Sequence, residues 1–132
     1  MPLSVASTGI SGRNAVVYTN HVARTDTTAK SLFVLEQGDI PMGLSIYTPA
    51  ASNAGTGALL SIGSTGNVAY FAGGLQLKSG NLGRLGRATP STVSNLMAPL
   101  PFQTTVTATY AEYGTASTAG GPWTVVMEVL KS

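Results

Sequence analysis

The chain has no cysteine, one histidine and few charged residues. Of its 132 residues, seven are Lys or Arg and five are Asp or Glu, which is 9% of the chain. The absence of cysteine excludes a disulfide framework and thiol chemistry, and it leaves structural zinc without its usual ligands. The charged fraction is well under the roughly 25% of an average domain, so electrostatic repulsion against self-association is weak. We therefore expect a surface that packs against neighbouring subunits, with charge-poor exported binding modules and adhesins as the alternative class.

Two further absences limit where the chain acts. No apolar run approaches the length of a transmembrane helix, and the first residues, Met1 to Ser4, lack the basic and apolar regions of a signal peptide. We therefore expect no membrane association, with synthesis and retention in the cytoplasm. The net charge of +2 is small and the basic residues are scattered, which argues against nucleic acid as a partner.

Alternation of apolar and polar residues, the period of a β-strand, runs through much of the chain. In the last third, Val106, Ala108 and Tyr110 share one face of a strand, and Trp123 opens another whose apolar face is predicted to be buried. The predicted strands are 15–24, 31–35, 42–48, 58–62, 68–71, 104–110 and 123–130. Seven or eight antiparallel strands without a convincing helix predict an all-β, single-domain β-sandwich that is jelly-roll-like in its connections.

Two segments lack a strand period. Residues 1–14 are predicted to form an extended arm ahead of the sandwich domain of residues 15–132. Residues 73–100 place glycines and leucines at irregular spacing, with a short strand near 92–97, and the part from 73 to 90 is predicted to be a long Gly/Arg loop. Long loops of this kind usually carry function.

The candidate partner-binding residues lie in these two segments and at one strand end. Gly80 to Arg87 presents two arginines among glycines, which suit phosphate or carboxylate groups on a partner. The Gly-Lys-Ser/Thr of a nucleotide-binding loop is absent, so ordering on a neighbouring subunit, or an ordinary surface loop, is favoured over a nucleic-acid site. Tyr113 follows an alternating strand and is predicted to be exposed. The candidate residues are Leu3, Arg13, Leu82, Arg84, Leu85, Arg87 and Tyr113.

The sequence contains no recognisable set of catalytic residues. His21 lies within a strand, without Cys or a second His, and is predicted to be structural. The acids lie mostly at strand ends, and the serines lack a Gly-x-Ser-x-Gly motif. An enzyme would have to bring Glu112 or Glu128 near another acid or His21. We expect a protein that is not an enzyme and that binds no cofactor, metal or small-molecule substrate.

Three stretches of the sequence resemble a known class of proteins. They are Thr105–Val129, Gln37–Leu44 (Gln-Gly-Asp-Ile-Pro-Met-Gly-Leu) and Leu59–Gly66 (Leu-Leu-Ser-Ile-Gly-Ser-Thr-Gly). Their pattern is similar to that of small virion structural proteins of tailed bacteriophages. Several of these are capsid decoration or cement proteins, and others are head fibres or tail components. The resemblance implies a jelly-roll or related sandwich that oligomerises and binds the major capsid protein.

The function implied by this resemblance is that of a capsid decoration protein. We expect it on the outside of an assembled phage capsid, where it stabilises the junctions between capsomers after synthesis in the host cytoplasm. The expected partners are the major capsid protein and further copies of the chain, in a homotrimer or alternatively a dimer. The other candidate function is a fibre- or tail-associated β module that binds a host glycan or receptor. That function predicts exposed aromatic side chains clustered at one end of the sandwich.

Overall fold

The described part of the chain folds into eight β-strands. The computed structural model describes residues 14–78, 85–87 and 95–132. The strands are β1 (Ala15–Val22), β2 (Lys30–Leu35), β3 (Ile40–Tyr47), β4 (Gly57–Ser64), β5 (Asn67–Gln76), β6 (Leu85–Arg87), β7 (Thr104–Tyr113) and β8 (Trp123–Leu130). Within those three ranges, no helix has the length and apolar character needed to cross a membrane.

The strands form two four-stranded antiparallel sheets with the order of a jelly roll. One sheet has the order β1-β8-β3-β6 and the other β2-β7-β4-β5. Moving outward along the chain from the β4–β5 hairpin, β3 pairs with β6, β2 with β7 and β1 with β8. These pairs alternate between the two sheets, as they do when one long hairpin rolls up into a jelly roll. The prediction of an all-β, jelly-roll-like sandwich is confirmed.

The core lies between the two sheets and follows from the alternation along the strands. In β8, Trp123, Val125, Met127 and Val129 are all buried, and the residues between them are less so. The buried residues of β4 and β7 include Ala58, Leu60, Ile62, Val106, Ala108 and Tyr110. Each fully buried side chain of Val, Leu or Phe size contributes about 1.5–3 kcal/mol, so this layer is the main source of stability. The predicted burial of Trp123 is confirmed.

β5 extends further than the sequence predicts. The alternation ends near Phe71 and the irregular segment begins at Gly73, but β5 continues to Gln76. The register between β4 and β5 shifts at Gly73 and Gly74, so these glycines form a β-bulge. Gly74 has a φ of +67°, a conformation that glycine adopts without strain. The glycine pair therefore bends the strand and does not end it.

The predicted Gly/Arg loop differs in extent, because its first residues belong to β5 and residues 85–87 form β6. This short strand pairs with Ser45 to Tyr47 at the edge of its sheet. A strand of three residues is too short to show apolar–polar alternation in the sequence. It is recognised only from its pairing with β3. Residues 1–13, 79–84 and 88–94 lie outside the described part of the chain. Of the short strand predicted near 92–97, only 95–97 are described, and they are not in a strand.

The outer faces of both sheets carry cross-strand rows of small uncharged side chains. Thr19, Val126 and Ser45 lie side by side across β1, β8 and β3. On the other sheet, Thr107 lies between Ser31 and Gly63. These rows are uncharged, although Ser45 and Thr107 are buried and the exposed Glu128 lies on the outer face of the first sheet.

Candidate interaction surface

One end of the sandwich carries most of the exposed large apolar side chains. At this end β1, β3, β5 and β7 begin, β2, β4 and β8 end, and the turn 36–39 joins the two sheets. Nine large apolar side chains are exposed among the described residues. Seven of them lie either within the three strand residues nearest to this end or in segment 95–103. These seven are Val16, Val17, Val34, Met42, Val68, Met97 and Phe102. We call this end of the sandwich the apolar end.

Segment 95–103 is hydrogen-bonded to the backbone at the start of β3. The backbone N–H of Met97 donates to the carbonyl oxygen of Pro41 at 2.7 Å, and that of Leu100 donates to the carbonyl oxygen of Asp39 at 2.9 Å. The Leu100 side chain is buried in the core. These bonds order a segment that has no regular secondary structure.

Met97 projects from this segment with a strained backbone. Its φ is +66°, a left-handed conformation that costs on the order of 1–3 kcal/mol for most residues other than Gly. The side chain is 65% exposed, so its burial in this chain does not offset the strain. Its hydrogen-bond acceptor, Pro41, precedes Met42, an exposed residue where the register of β3 against β8 shifts. Strain at an exposed apolar residue points to a role in binding.

Phe102 borders an open groove at the apolar end. Its side chain is 72% exposed. The groove has a volume of about 190 Å³ and lies between the turn that joins β4 to β5 and the start of β7. Its lining residues are Ser64, Thr65, Gly66, Phe102, Gln103, Thr104 and Thr105. Sites for small molecules usually enclose roughly 300–1,000 Å³, so this groove suits a single side chain of a partner better than a cofactor.

The described charged groups of the apolar end are three carboxylates and one ammonium group: Glu36, Asp39, Glu128 and Lys131. Asp39 is fully buried and accepts hydrogen bonds from the Lys131 ammonium at 2.6 Å, the N–H of Ser132 at 2.9 Å and the N–H of Glu36 at 2.8 Å. Burial alone would raise the pKa of Asp39, but these donors outweigh it and the pKa lies below its usual value. The Glu36 carboxylate is exposed and accepts hydrogen bonds from the Gln103 amide at 3.1 and 3.3 Å.

The opposite end of the sandwich contains a hydrogen-bond network. The Tyr110 hydroxyl donates to Oε2 of Glu112 at 2.7 Å and lies 2.7 Å from Oγ of Ser52. The backbone N–H and the hydroxyl of Ser117 also donate to the Glu112 carboxylate. Burial raises the pKa of Tyr110, and the bonds from Ser117 and Tyr110 lower the pKa of Glu112. The network fixes the loops before β4 and β8 against the sheets.

The described contacts of His21 and Glu112 are structural. Nδ1 of His21 lies 3.2 Å from Oγ1 of Thr124, and the Glu112 carboxylate is held by Tyr110 and Ser117. In the ranges that the structure describes, no three His, Asp or Glu side chains are placed to hold a metal ion.

The chain resembles one chain of a solved phage capsid structure over its whole length. The match is to a chain of the capsid asymmetric unit of cyanophage Pam1, with a TM-score of 0.66 and 19% sequence identity, over 100% of this chain and 94% of that one. The two chains share a fold. No family model and no curated protein matches the sequence.

The structure places only some of the sequence-predicted partner residues. Tyr113 ends β7 and is 53% exposed, which confirms its predicted exposure. Leu85 and Arg87 lie in β6, at the edge of the other sheet. The described members therefore occupy different sheets, and they do not form one cluster. The remaining candidates, Leu3, Arg13, Leu82 and Arg84, lie outside the described residues.

Two of the three exposed aromatic residues lie at the same end of the sandwich. All nine aromatic residues of the chain are described, and the exposed ones are Tyr47, Phe102 and Tyr113. Phe102 precedes β7 and Tyr113 ends it, so about 33 Å of strand separates them. Tyr47 ends β3 and lies at the same end as Tyr113, so two exposed aromatic side chains share the end opposite the apolar end and Phe102 does not.

Met97 and Phe102 were not predicted as contact residues. They belong to an aperiodic, proline-rich segment, and their neighbours at the apolar end come from β1, β2, β3 and β5. The available signal was local: large apolar side chains beside Pro99 and Pro101, in a stretch too irregular to bury them.

Proposed function

We propose that this chain is a structural virion protein of a tailed bacteriophage that binds the outside of the assembled capsid. The observation that carries the proposal is the shared fold with a chain of a phage capsid, which spans both chains almost completely. The resemblance of Gln37–Leu44, Leu59–Gly66 and Thr105–Val129 to phage virion proteins supports it independently. A jelly roll alone does not define a function, because unrelated proteins use this fold.

The proposed role is that of a decoration protein that stabilises capsomer junctions without catalysis or a cofactor. Each copy binds the assembled shell in preference to the free capsid subunit, so bound copies favour the assembled state by mass action. Weak contacts of this kind add up over a lattice when several are made by one oligomer. On the outer face of β1 and β8, the uncharged neighbours Thr19 and Val126 suit contacts between copies.

The proposed oligomer is a homotrimer, with a dimer as the alternative. The arm and the Gly/Arg segment, with Leu3, Arg13, Leu82, Arg84, Leu85 and Arg87, are proposed to reach neighbouring subunits, and Tyr113 is proposed to contact a second copy. The exposure of Tyr113 is consistent with this role. The proposed location is the capsid surface of the virion, after synthesis in the host cytoplasm.

Sedimentation velocity of the purified chain, alone and mixed with expanded empty capsids from the same phage, tests this proposal. The expected result is a small stable oligomer that sediments with the capsids up to a fixed stoichiometry. A chain that stays free at every capsid concentration would contradict a decoration role. The same experiment with a polysaccharide of the host surface then tests the glycan-binding alternative.

A further inference from the structure

The apolar end differs from the rest of the described surface in the number of large apolar side chains that are exposed near one end of the strands. Seven of the nine exposed large apolar side chains lie there, although they come from four strands and segment 95–103. Isolated exposed apolar residues are normal on a protein surface, but a concentration of them at one place marks an interaction site.

The backbone that carries this surface is already ordered in the free chain. Met97 and Leu100 are hydrogen-bonded to the start of β3, and Pro99 and Pro101 have fixed φ angles. Ordering a loop on binding reduces affinity, and a preordered loop avoids most of that cost. The +66° φ of Met97 keeps a long, flexible apolar side chain projecting in a conformation that glycine would adopt more easily.

Charge indicates the chemistry of the partner. The Lys131 ammonium is bonded to Asp39, which leaves Glu36 exposed at this end with only the amide of Gln103 as its described donor. A second copy docked end to end would bring another Glu36 carboxylate and the same excess of acid into the contact. A partner with a basic side chain beside an apolar patch complements this end better.

We propose that the apolar end is the surface by which the chain docks on the capsid, and that its partner is a capsid-subunit surface with an apolar projection flanked by Lys or Arg. This inference rests on the proposed function and names the part of the molecule that performs it. The partner's apolar side chain packs against Phe102 at the border of the groove, and Met97 packs against the same partner. Glu36 pairs with the basic side chain.

Two substitutions test the docking surface without disturbing the core. Met97→Gly removes the side chain and relieves the strained φ, so its unfolding temperature should be unchanged or higher. Phe102→Ser removes the most exposed of the aromatic side chains. Each is expected to weaken binding to expanded empty capsids about tenfold in co-sedimentation, as for a residue central to an interface. The matched control is Tyr47→Ser, an exposed aromatic at the opposite end of the sandwich, which should bind like the wild type.

The outcomes separate this inference from the proposed function. If the wild-type chain does not sediment with capsids, the proposed function fails and the docking surface fails with it. If the wild type binds and the Met97 and Phe102 variants bind equally well, only the docking surface is wrong. If these variants lose their own oligomeric state in sedimentation velocity without capsids, the apolar end joins copies of the chain and the inference is overturned.

The predicted charge of the partner has its own test. Glu36→Gln should weaken capsid binding, and Glu36→Lys should weaken it further, by about tenfold or more at low salt. Added salt should weaken binding of the wild type and narrow its advantage over Glu36→Lys. Binding that is unchanged or tighter with Glu36→Lys would contradict a basic partner surface.

Discussion

Asp39 is the buried charged residue on which the turn between β2 and β3 depends. Its carboxylate accepts hydrogen bonds from the N–H of Glu36, in the same turn, and from the Lys131 ammonium and the N–H of Ser132, which follow β8. Lys131 also donates to the Tyr18 hydroxyl at 3.0 Å. One side chain thus links the turn to the end of β8 and to β1.

Asp39→Asn should destabilise the protein by about 2 kcal/mol, because it removes a buried charge partner and one hydrogen-bond acceptor. Lys131 is partly exposed, so water screens part of the lost attraction. Urea unfolding at pH 7 measures the difference. Glu36→Gln, at the exposed carboxylate that directly follows the end of β2, is the control and should stay within about 0.5 kcal/mol of the wild type.

The pH dependence of stability gives a second readout of the same carboxylate. Because the pKa of Asp39 is lower in the folded than in the unfolded chain, its contribution is complete above the usual Asp value of about 3.9 and is lost as the pH falls through the folded-state pKa. Asp39→Asn should therefore lose less stability than the wild type on acidification below about pH 4. If the free energy of unfolding, measured in urea, falls equally for both proteins as the pH is lowered, Asp39 does not cause the loss of stability in acid.

The Tyr110 hydroxyl should stabilise the opposite end of the sandwich. Tyr110→Phe keeps the ring on Trp123, at a centroid distance of 5.0 Å, but removes the hydroxyl that contacts Ser52 and donates to Glu112. We expect a loss of about 1–2 kcal/mol in thermal unfolding for this buried hydroxyl. Tyr113→Phe, on the same strand with an exposed ring, should have no measurable effect. Equal effects of the two changes would contradict a structural role for the network.

At the scale of elements, the β4–β5 hairpin depends on a close approach of two backbones. A Cβ atom at Gly63 would lie 2.2 Å from the carbonyl oxygen of Asn67 and 2.3 Å from the carbonyl carbon of Val68. Both distances are far below van der Waals contact, and backbone atoms cannot move aside as a flexible side chain can. Only glycine fits at this position of β4.

Gly63→Ala should therefore destabilise the hairpin by about 2–3 kcal/mol, as overpacking does. Gly66→Ala in the turn of the same hairpin is the matched control, because a Cβ there meets no atom within 4 Å. This control should be neutral or slightly stabilising, since it reduces the freedom of the unfolded chain. Chemical denaturation of the two variants measures the difference, and equal midpoints would show that the hairpin can relax.

At the scale of the whole molecule, self-association and stability should be linked. If the chain is an oligomer of folded subunits, mass action favours the folded state as the concentration rises. The unfolding temperature should then increase with protein concentration across a hundredfold dilution series in calorimetry, by a few degrees. An unfolding temperature that is independent of concentration would indicate a monomer over that range.

The sequence predicts the architecture better than it predicts the surface. Alternation in segments such as Thr104 to Tyr110 is set by burial between two sheets, so it reports which residues are inside. The bulge at Gly73 and the strand β6 depend on pairing with distant strands, which no local pattern contains. The bonds from Lys131 to Asp39 and the apolar end likewise join residues that only the jelly-roll topology brings together.

The pairing of the first strand with the last has a mechanical consequence. The N–H of Lys131 donates to the carbonyl oxygen of Asn14 at 2.7 Å, where the antiparallel pair β1·β8 begins. A force that pulls residues 14 and 131 apart therefore acts at one end of the pair and opens its hydrogen bonds one after another. A force along the strands, from the apolar end to the opposite end, loads these bonds together, because they run perpendicular to the strand direction. The molecule should resist stretching along its strands much better than peeling at the β1·β8 edge.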